Sequence, residues 1–209
     1  CSNYTKLYGR TLTDAERKRA TLFGILTPVG DDLFDVDKLD TERIHLITYD
    51  PQNYTATTFS ANVAKEIQSF LLADVPHKEA YLLAAKNVLD IQIETARQTN
   101  PAIAEQELEY ITYMKGAASV IIYHQCLDDV AGEQMKEALF YTGSLFQLGN
   151  DIFDLYKDVR DHIYTLVNTC DDFAAFRTSF LERVDLQNQK IMALPYAEKN
   201  KKEFCFVMN

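Results

Sequence analysis

From Glu133 to Asp161 the chain runs through 29 residues without a proline, and Thr142, Phe146, Asn150, Asp154 and Asp158 recur in it at every fourth position. At about 100° and 1.5 Å per residue, such a series occupies one face of a helix and places Asn150, Asp154 and Asp158 within roughly 80° of one another, each about 6 Å further along the axis. The spacing predicts a helix from about Glu133 to Asp161, opened by Gly132, with an apolar ring one turn before three oxygen-bearing side chains.

The same punctuation runs along the rest of the chain. Thr13-Asp-Ala-Glu16 has the form of a capping box and predicts a helix toward Leu26, which Thr27-Pro28 should bend or interrupt. Polar caps and N-terminal prolines predict further helices over Thr58 to Ala73, Pro76 to Arg97, Pro101 to Asp129 and Asp171 to Ala193. No strand-like alternation competes, so about six helices of two to seven turns are expected to form an all-α bundle with its sites on facing helices.

A second acidic cluster lies upstream, at Asp31-Asp-Leu-Phe-Asp35. If that segment is helical, Asp31 and Asp35 point the same way and Asp32 is turned about 100° from Asp31. Like charges at i, i+4 cost an isolated helix a few tenths of a kcal/mol, so two such clusters ask for a compensating cation. Oxygen ligands without matching Cys or His favour Mg²⁺, Mn²⁺ or Ca²⁺ over zinc, and Mg²⁺ commonly completes its shell with water and substrate phosphates. The lack of a central Gly and a terminal Glu argues against an EF-hand.

With 31 acidic residues, a DDxxD on a solvated face is a common accident, and Asp128-Asp129 and Asp171-Asp172 show how cheaply the dipeptide arises. The later cluster differs because Leu145, Phe146, Leu148, Ile152, Phe153 and Leu155 surround it.

At these residues the chain resembles the class I isoprenoid synthases, the all-α superfamily of terpene cyclases, trans-prenyltransferases and squalene/phytoene synthase-like enzymes. There a DDxxD on one helix and a second acidic motif on a facing helix bind three Mg²⁺ ions that hold and ionise a prenyl diphosphate. Asp31 to Asp35 matches the first motif. Asn150-Asp-Ile-Phe-Asp154-Leu-Tyr-Lys-Asp158 is similar to the cyclase pattern (N/D)DxxSxxxE, with Asp in the Ser/Thr and Glu places. Phe146-Gln147 with Asp154 also resembles the FQxxDDxxD of chain-elongating enzymes, so the motif is intermediate between the branches.

The resemblance implies metal ligation by Asp31, Asp35, Asn150, Asp154 and Asp158, with three Mg²⁺ ions or Mn²⁺ in their place. Asp32 and Asp151 would organise basic groups. Lys115, in Tyr113-Met-Lys-Gly-Ala-Ala-Ser119, resembles the diphosphate-contacting lysine of prenyltransferases, and Lys157 stands where many cyclases are basic; a surface lysine is the plain alternative for Lys115. Phe146 is the candidate pocket residue, and Phe23, Tyr123 and Phe153 are further aromatic residues available to line a cavity. The arginine pair that follows the first motif in chain-elongating enzymes is missing from Val36 to Arg43. That favours a cyclase-like lyase, with a chain-elongating or head-to-head prenyltransferase and a non-catalytic helical binder as alternatives.

Composition bounds the rest. The 209 residues are 47% hydrophobic with seven Gly and five Pro, and no linker-like stretch or tandem repeat interrupts them, so a single domain spanning 1–209 is expected. A net charge of −10 argues against nucleic acid as a partner, while a phosphate ester remains accessible through metal. No run of about 18 apolar residues marks a transmembrane helix and no h-region marks a signal peptide, so a cytoplasmic location is expected, with a homodimer as an open assembly. The four cysteines form no CxxC and the four histidines no HExxH, which leaves zinc and thiol-redox chemistry without support. The chain opens on Cys1 with its first motif only 30 residues on, so N-terminal helices that precede this motif in the superfamily are expected to be lacking. A mature lipoprotein beginning at Cys1 is the less favoured explanation.

Overall fold

The computed structural model describes residues 1–208, which are helical with no strand among them. The helices are α1 (Ser2–Leu7), α2 (Asp14–Asp35), α3 (Thr41–Tyr49), α4 (Phe59–Asp74), α5 (Lys78–Glu94), α6 (Glu105–His124), α7 (Glu133–Phe153), α8 (Leu155–Arg160), α9 (Phe173–Met192) and α10 (Glu198–Met208), with 3-10 turns at Pro51–Asn53 and Thr95–Thr99. The all-α expectation holds. The helices α1, α3 and α10 are additions to the sequence reading.

The described residues group into two compact units. The first takes Cys1, Leu12–Ala85 and Gln125–Val130; the second takes Ser2–Thr11, Lys86–His124 and the chain from Ala131 onward.

In the first unit, Thr13 caps α2 through the expected box: its side chain accepts from the Glu16 N–H, and the Glu16 carboxylate accepts from the Thr13 N–H at 2.9 Å. Glu16 is fully buried because its other oxygen accepts from the Asp128 N–H at 2.9 Å. One turn on, buried Arg19 donates to the Cys126 carbonyl at 2.8 Å, to Asp74 at the end of α4 and to Asp128 at 2.5 Å. These bonds hold Gln125–Val130 against α2, which is why α6 stops at His124 rather than continuing to Asp129 as expected.

The expected interruption does not occur: α2 continues through Pro28 to Asp35. Pro28 lies on the exposed side, where a carbonyl deprived of its i+4 partner can face water, and the Thr27 hydroxyl turns back to the Phe23 carbonyl at 3.2 Å. The helix ends where Lys38 takes a positive φ of 52°, and Asp40 caps α3 by accepting from the Arg43 N–H. Inside the unit, Phe23 meets Tyr81 edge-on, the Tyr81 hydroxyl donates to Gln68 at 2.8 Å, and the Gln68 amide donates to the Thr48 carbonyl at 2.7 Å.

The second unit is built on α6 and α7. Gly116 and Gly143 sit back to back: a Cβ on Gly116 would lie 2.0 Å from the Gly143 carbonyl oxygen, and one on Gly143 would lie 2.3 Å from that of Gly116. Two backbones that close leave no room for any side chain at the crossing, so glycine is required on both helices. Against α7, α9 adds a Lys190–Glu137 ion pair at 2.6 Å and a hydrogen bond from Gln187 to the Thr142 hydroxyl. Tyr4 of α1 packs on Phe204 of α10 and on fully buried His124, whose ring also meets the Tyr8 hydroxyl. Gln98 and Tyr164 exchange hydrogen bonds of 2.7 and 3.0 Å, which ties down the chain beyond α8.

The single helix expected from Glu133 to Asp161 is two. Asp154, with φ −89° and ψ 4°, leaves the helical region and is both the C-cap of α7 and the N-cap of α8. Backbone bonds from Asp154 to Asn150 and from Asp158 to Asp154 bridge the junction, so the path bends rather than reverses.

Candidate functional site

The α6–α7 crossing fixes what surrounds the second acidic motif. The two helices run in opposite senses past the Gly116–Gly143 contact, so residues before Gly116 meet residues beyond Gly143. Thr112 and Lys115 of α6 therefore face Gln147 and Asp151 in the last turns of α7 and Asp158 of α8.

Asp151 is the centre of this group. It is 6% exposed, and its Oδ1 accepts from the Gln147 amide at 2.8 Å. Its Oδ2 is buried with no hydrogen-bond partner, and the buried Thr112 hydroxyl lies beside the carboxylate without closing a bond of ordinary geometry. Burial raises the Asp151 pKa to about 6, with the Asp158 charge adding to it; the Gln147 bond, the Lys115 charge and Thr112 pull the other way. Asp158 is half-buried, and its pKa too is raised, first by loss of water and then by the Asp154 carboxylate, against the pull of Lys157 and Lys115. The second unit thus holds a set of carboxylates short of positive charge, with Lys115 acting on two of them.

The other residues singled out in the sequence are more open. Asn150 is exposed near the end of α7, Asp154 is exposed at the junction, Lys157 is exposed on α8, and Phe146 is 47% exposed on α7. Of the further aromatic residues, Phe23 is buried in the first unit, Tyr123 is half-buried on α6, and Phe153 is 90% exposed. Asp31, Asp32 and Asp35 all lie on the first unit's α2, exposed, and because α2 stays helical there Asp31 and Asp35 do share a face. Among the described residues no three His, Cys, Asp or Glu side chains converge as a ready-made metal cage.

No protein-family model, curated protein or solved structure matches this chain.

Two residues of the group carried no role in the sequence reading. Gln147 entered only as the Gln of the FQxxDDxxD resemblance, and the signal for its bond is the i, i+4 spacing to Asp151. Thr112 lies one turn before Lys115 on α6, a relation that matters only once α7 is known to cross there.

The chemistry of the donors suits a hard divalent cation. Asn150, Asp154 and Asp158 offer oxygen alone, Asp154 and Asp158 repel one another, and the buried Asp151 has an oxygen without a partner. Mg²⁺ takes one or two carboxylates and fills its remaining positions with water and phosphate oxygens, so it does not call for an all-protein cage.

Proposed function

We propose that this chain is a Mg²⁺-dependent class I isoprenoid synthase that ionises a prenyl diphosphate, cyclase-like in its second motif. The observation that carries this reading is that the Lys115 charge acts on both Asp151 and Asp158. These residues are far apart in sequence, and the Gly116–Gly143 crossing brings them into one group.

In this reading Asn150, Asp154 and Asp158 hold Mg²⁺, or Mn²⁺ in its place. When bound, the metal neutralises the diphosphate leaving group. The resemblance alone adds Asp31 and Asp35 as ligands, Asp32 as an organiser of basic groups and the count of three ions. Lys115 and Lys157 offer cationic donors to the diphosphate oxygens, and charge-assisted bonds of this kind strengthen as negative charge collects on the leaving group. Asp151, held by Gln147, keeps the Lys115 ammonium oriented. The allylic C–O bond breaks heterolytically, its electron pair leaves with the diphosphate, and the carbocation reacts in apolar surroundings, with Phe146 as a wall. Loss of a proton then gives a lyase; capture by a second prenyl unit gives a transferase.

The test is diphosphate release from farnesyl and geranylgeranyl diphosphate, with and without Mg²⁺, in the wild type and in Lys115→Ala, Asn150→Ala, Asp158→Ala and Asp31→Ala. Mg²⁺-dependent release that drops at least ~100-fold in each variant is expected. Metal-dependent binding with no release from any substrate would replace the enzyme with a non-catalytic helical binder. Retention of full activity in Asp31→Ala would remove the first motif from the site.

A further inference from the structure

Thr48, Ser119, Thr142 and Ser144, buried or half-buried on their helices, each donate a hydroxyl to the carbonyl four residues earlier, at 2.8–2.9 Å. This back-bond is the ordinary resource of a helical hydroxyl withdrawn from water. Thr112 departs from it. Its side chain is fully enclosed, yet its hydroxyl does not take the Leu108 carbonyl. It lies instead beside the Asp151 carboxylate, whose Oδ2 is likewise buried without a partner. A helical Thr has two χ1 rotamers open to it because one of them serves the back-bond, and a buried hydroxyl that forgoes this acceptor needs another.

We propose that Thr112 is a positioning residue for Lys115: its hydroxyl donates to Asp151 Oδ2 and fixes the carboxylate that draws the Lys115 ammonium into place. Thr112 and Lys115 stand one turn apart on α6, as Gln147 and Asp151 do on α7. Gly116 and Gly143 bring the two backbones together, so a side chain as short as Thr reaches across the crossing. Gln147 already holds Oδ1 at 2.8 Å. A small side-chain rotation closes the bond from Thr112 to Oδ2, and a carboxylate held at both oxygens presents its charge to Lys115 in one direction.

This role rests on the reading of Lys115 as a donor to diphosphate, and it names the residue that sets where that donor stands. Thr112 touches neither metal nor substrate in it and acts through Asp151 alone. Asp158 attracts Lys115 as well, so loss of the Thr112 hydroxyl loosens the ammonium without freeing it. A Thr kept only for packing would be served equally by Val, which has the same shape, whereas a donor to Asp151 is replaced by Ser and not by Val.

Competitive acetylation of the purified chain, read by mass spectrometry as the rate at Lys115 relative to exposed Lys199, tests this without substrate. Thr112→Val should raise that ratio about 3-fold, with unchanged far-ultraviolet circular dichroism, and Thr112→Ser should restore it. In an Asp151→Asn background Thr112→Val should have no further effect, because the hydroxyl acts only through that carboxylate. Thr142→Val, which removes a buried hydroxyl bonded to its own helix, should leave the ratio unchanged. With farnesyl diphosphate and Mg²⁺, Thr112→Val should raise KM about 5-fold with little change in kcat. A ratio unmoved by Thr112→Val overturns the proposal, as does an effect that Thr112→Ser shares or that persists in Asp151→Asn. A wild type that neither binds nor cleaves prenyl diphosphate removes the reaction, and the labelling ratio still decides whether Thr112 sets Lys115.

Discussion

Asp151 shows how burial converts a common acidic residue into a pH-dependent one. Its pKa in the fold is about 6 against an ordinary 3.8, so between those values the folded chain holds a proton that the unfolded chain has lost. The folded state is therefore favoured below about pH 4, and that stability is lost as pH rises through about 6, amounting to up to about 3 kcal/mol. Asp151→Asn keeps an oxygen for the Gln147 amide and removes the titration. Urea denaturation should find the variant more stable than the wild type at pH 7 and level with it near pH 4; equal stability at both pH values would contradict the assignment. The sequence placed Asp151 beside a metal-ligand series but gave no hint that it is the buried member, because burial depends on Thr112 and Gln147 closing over it from two helices.

At the scale of elements, the α6–α7 crossing decides what the second motif meets. Gly116 and Gly143 touch through their backbones, so Gly143→Ala inserts a Cβ 2.3 Å from a carbonyl oxygen. Overpacking of this kind should cost about 3 kcal/mol or more and outweigh the gain of up to about 1 kcal/mol in helix propensity. Gly149→Ala, on the same helix with nothing within 4 Å of the added carbon, should stabilise by about 0.5–1 kcal/mol. Chemical denaturation of the pair separates packing from propensity, and a similar effect of both would show that the crossing is looser than described. Helix starts were legible where a side chain makes the cap, as at Thr13, Thr58 and Asp172, though the Asp40 cap of α3 was not read. Helix ends were less so. The stop of α6 at His124 depends on Arg19 and Glu16, more than a hundred residues away, and the passage of α2 through Pro28 depends on which side of the helix faces water.

For the whole molecule, a net charge of −10 sets the terms on which any phosphate ester is bound. In the proposed reading, the field of the chain opposes a multiply charged diphosphate without divalent cation, and Mg²⁺ would remove that opposition at the proposed site. Calorimetry with inorganic diphosphate should therefore give affinity at least ~10-fold higher in Mg²⁺ than in chelator, and the gain should shrink in Asp158→Ala; equal affinity in both media would argue against metal-mediated recognition. No described helix is long and apolar enough to cross a membrane, in line with the reading of the sequence. By itself the sequence determined the helical class, most helix starts and the residue types at the second motif, because these follow from local periodicity and capping. Only the tertiary structure decided that α7 breaks at Asp154, that Asp151 is buried while Asn150 is not, and that the apolar residues around the motif face outward. Each of those outcomes rests on which helix packs across which, a relation between residues too far apart along the chain for spacing to report.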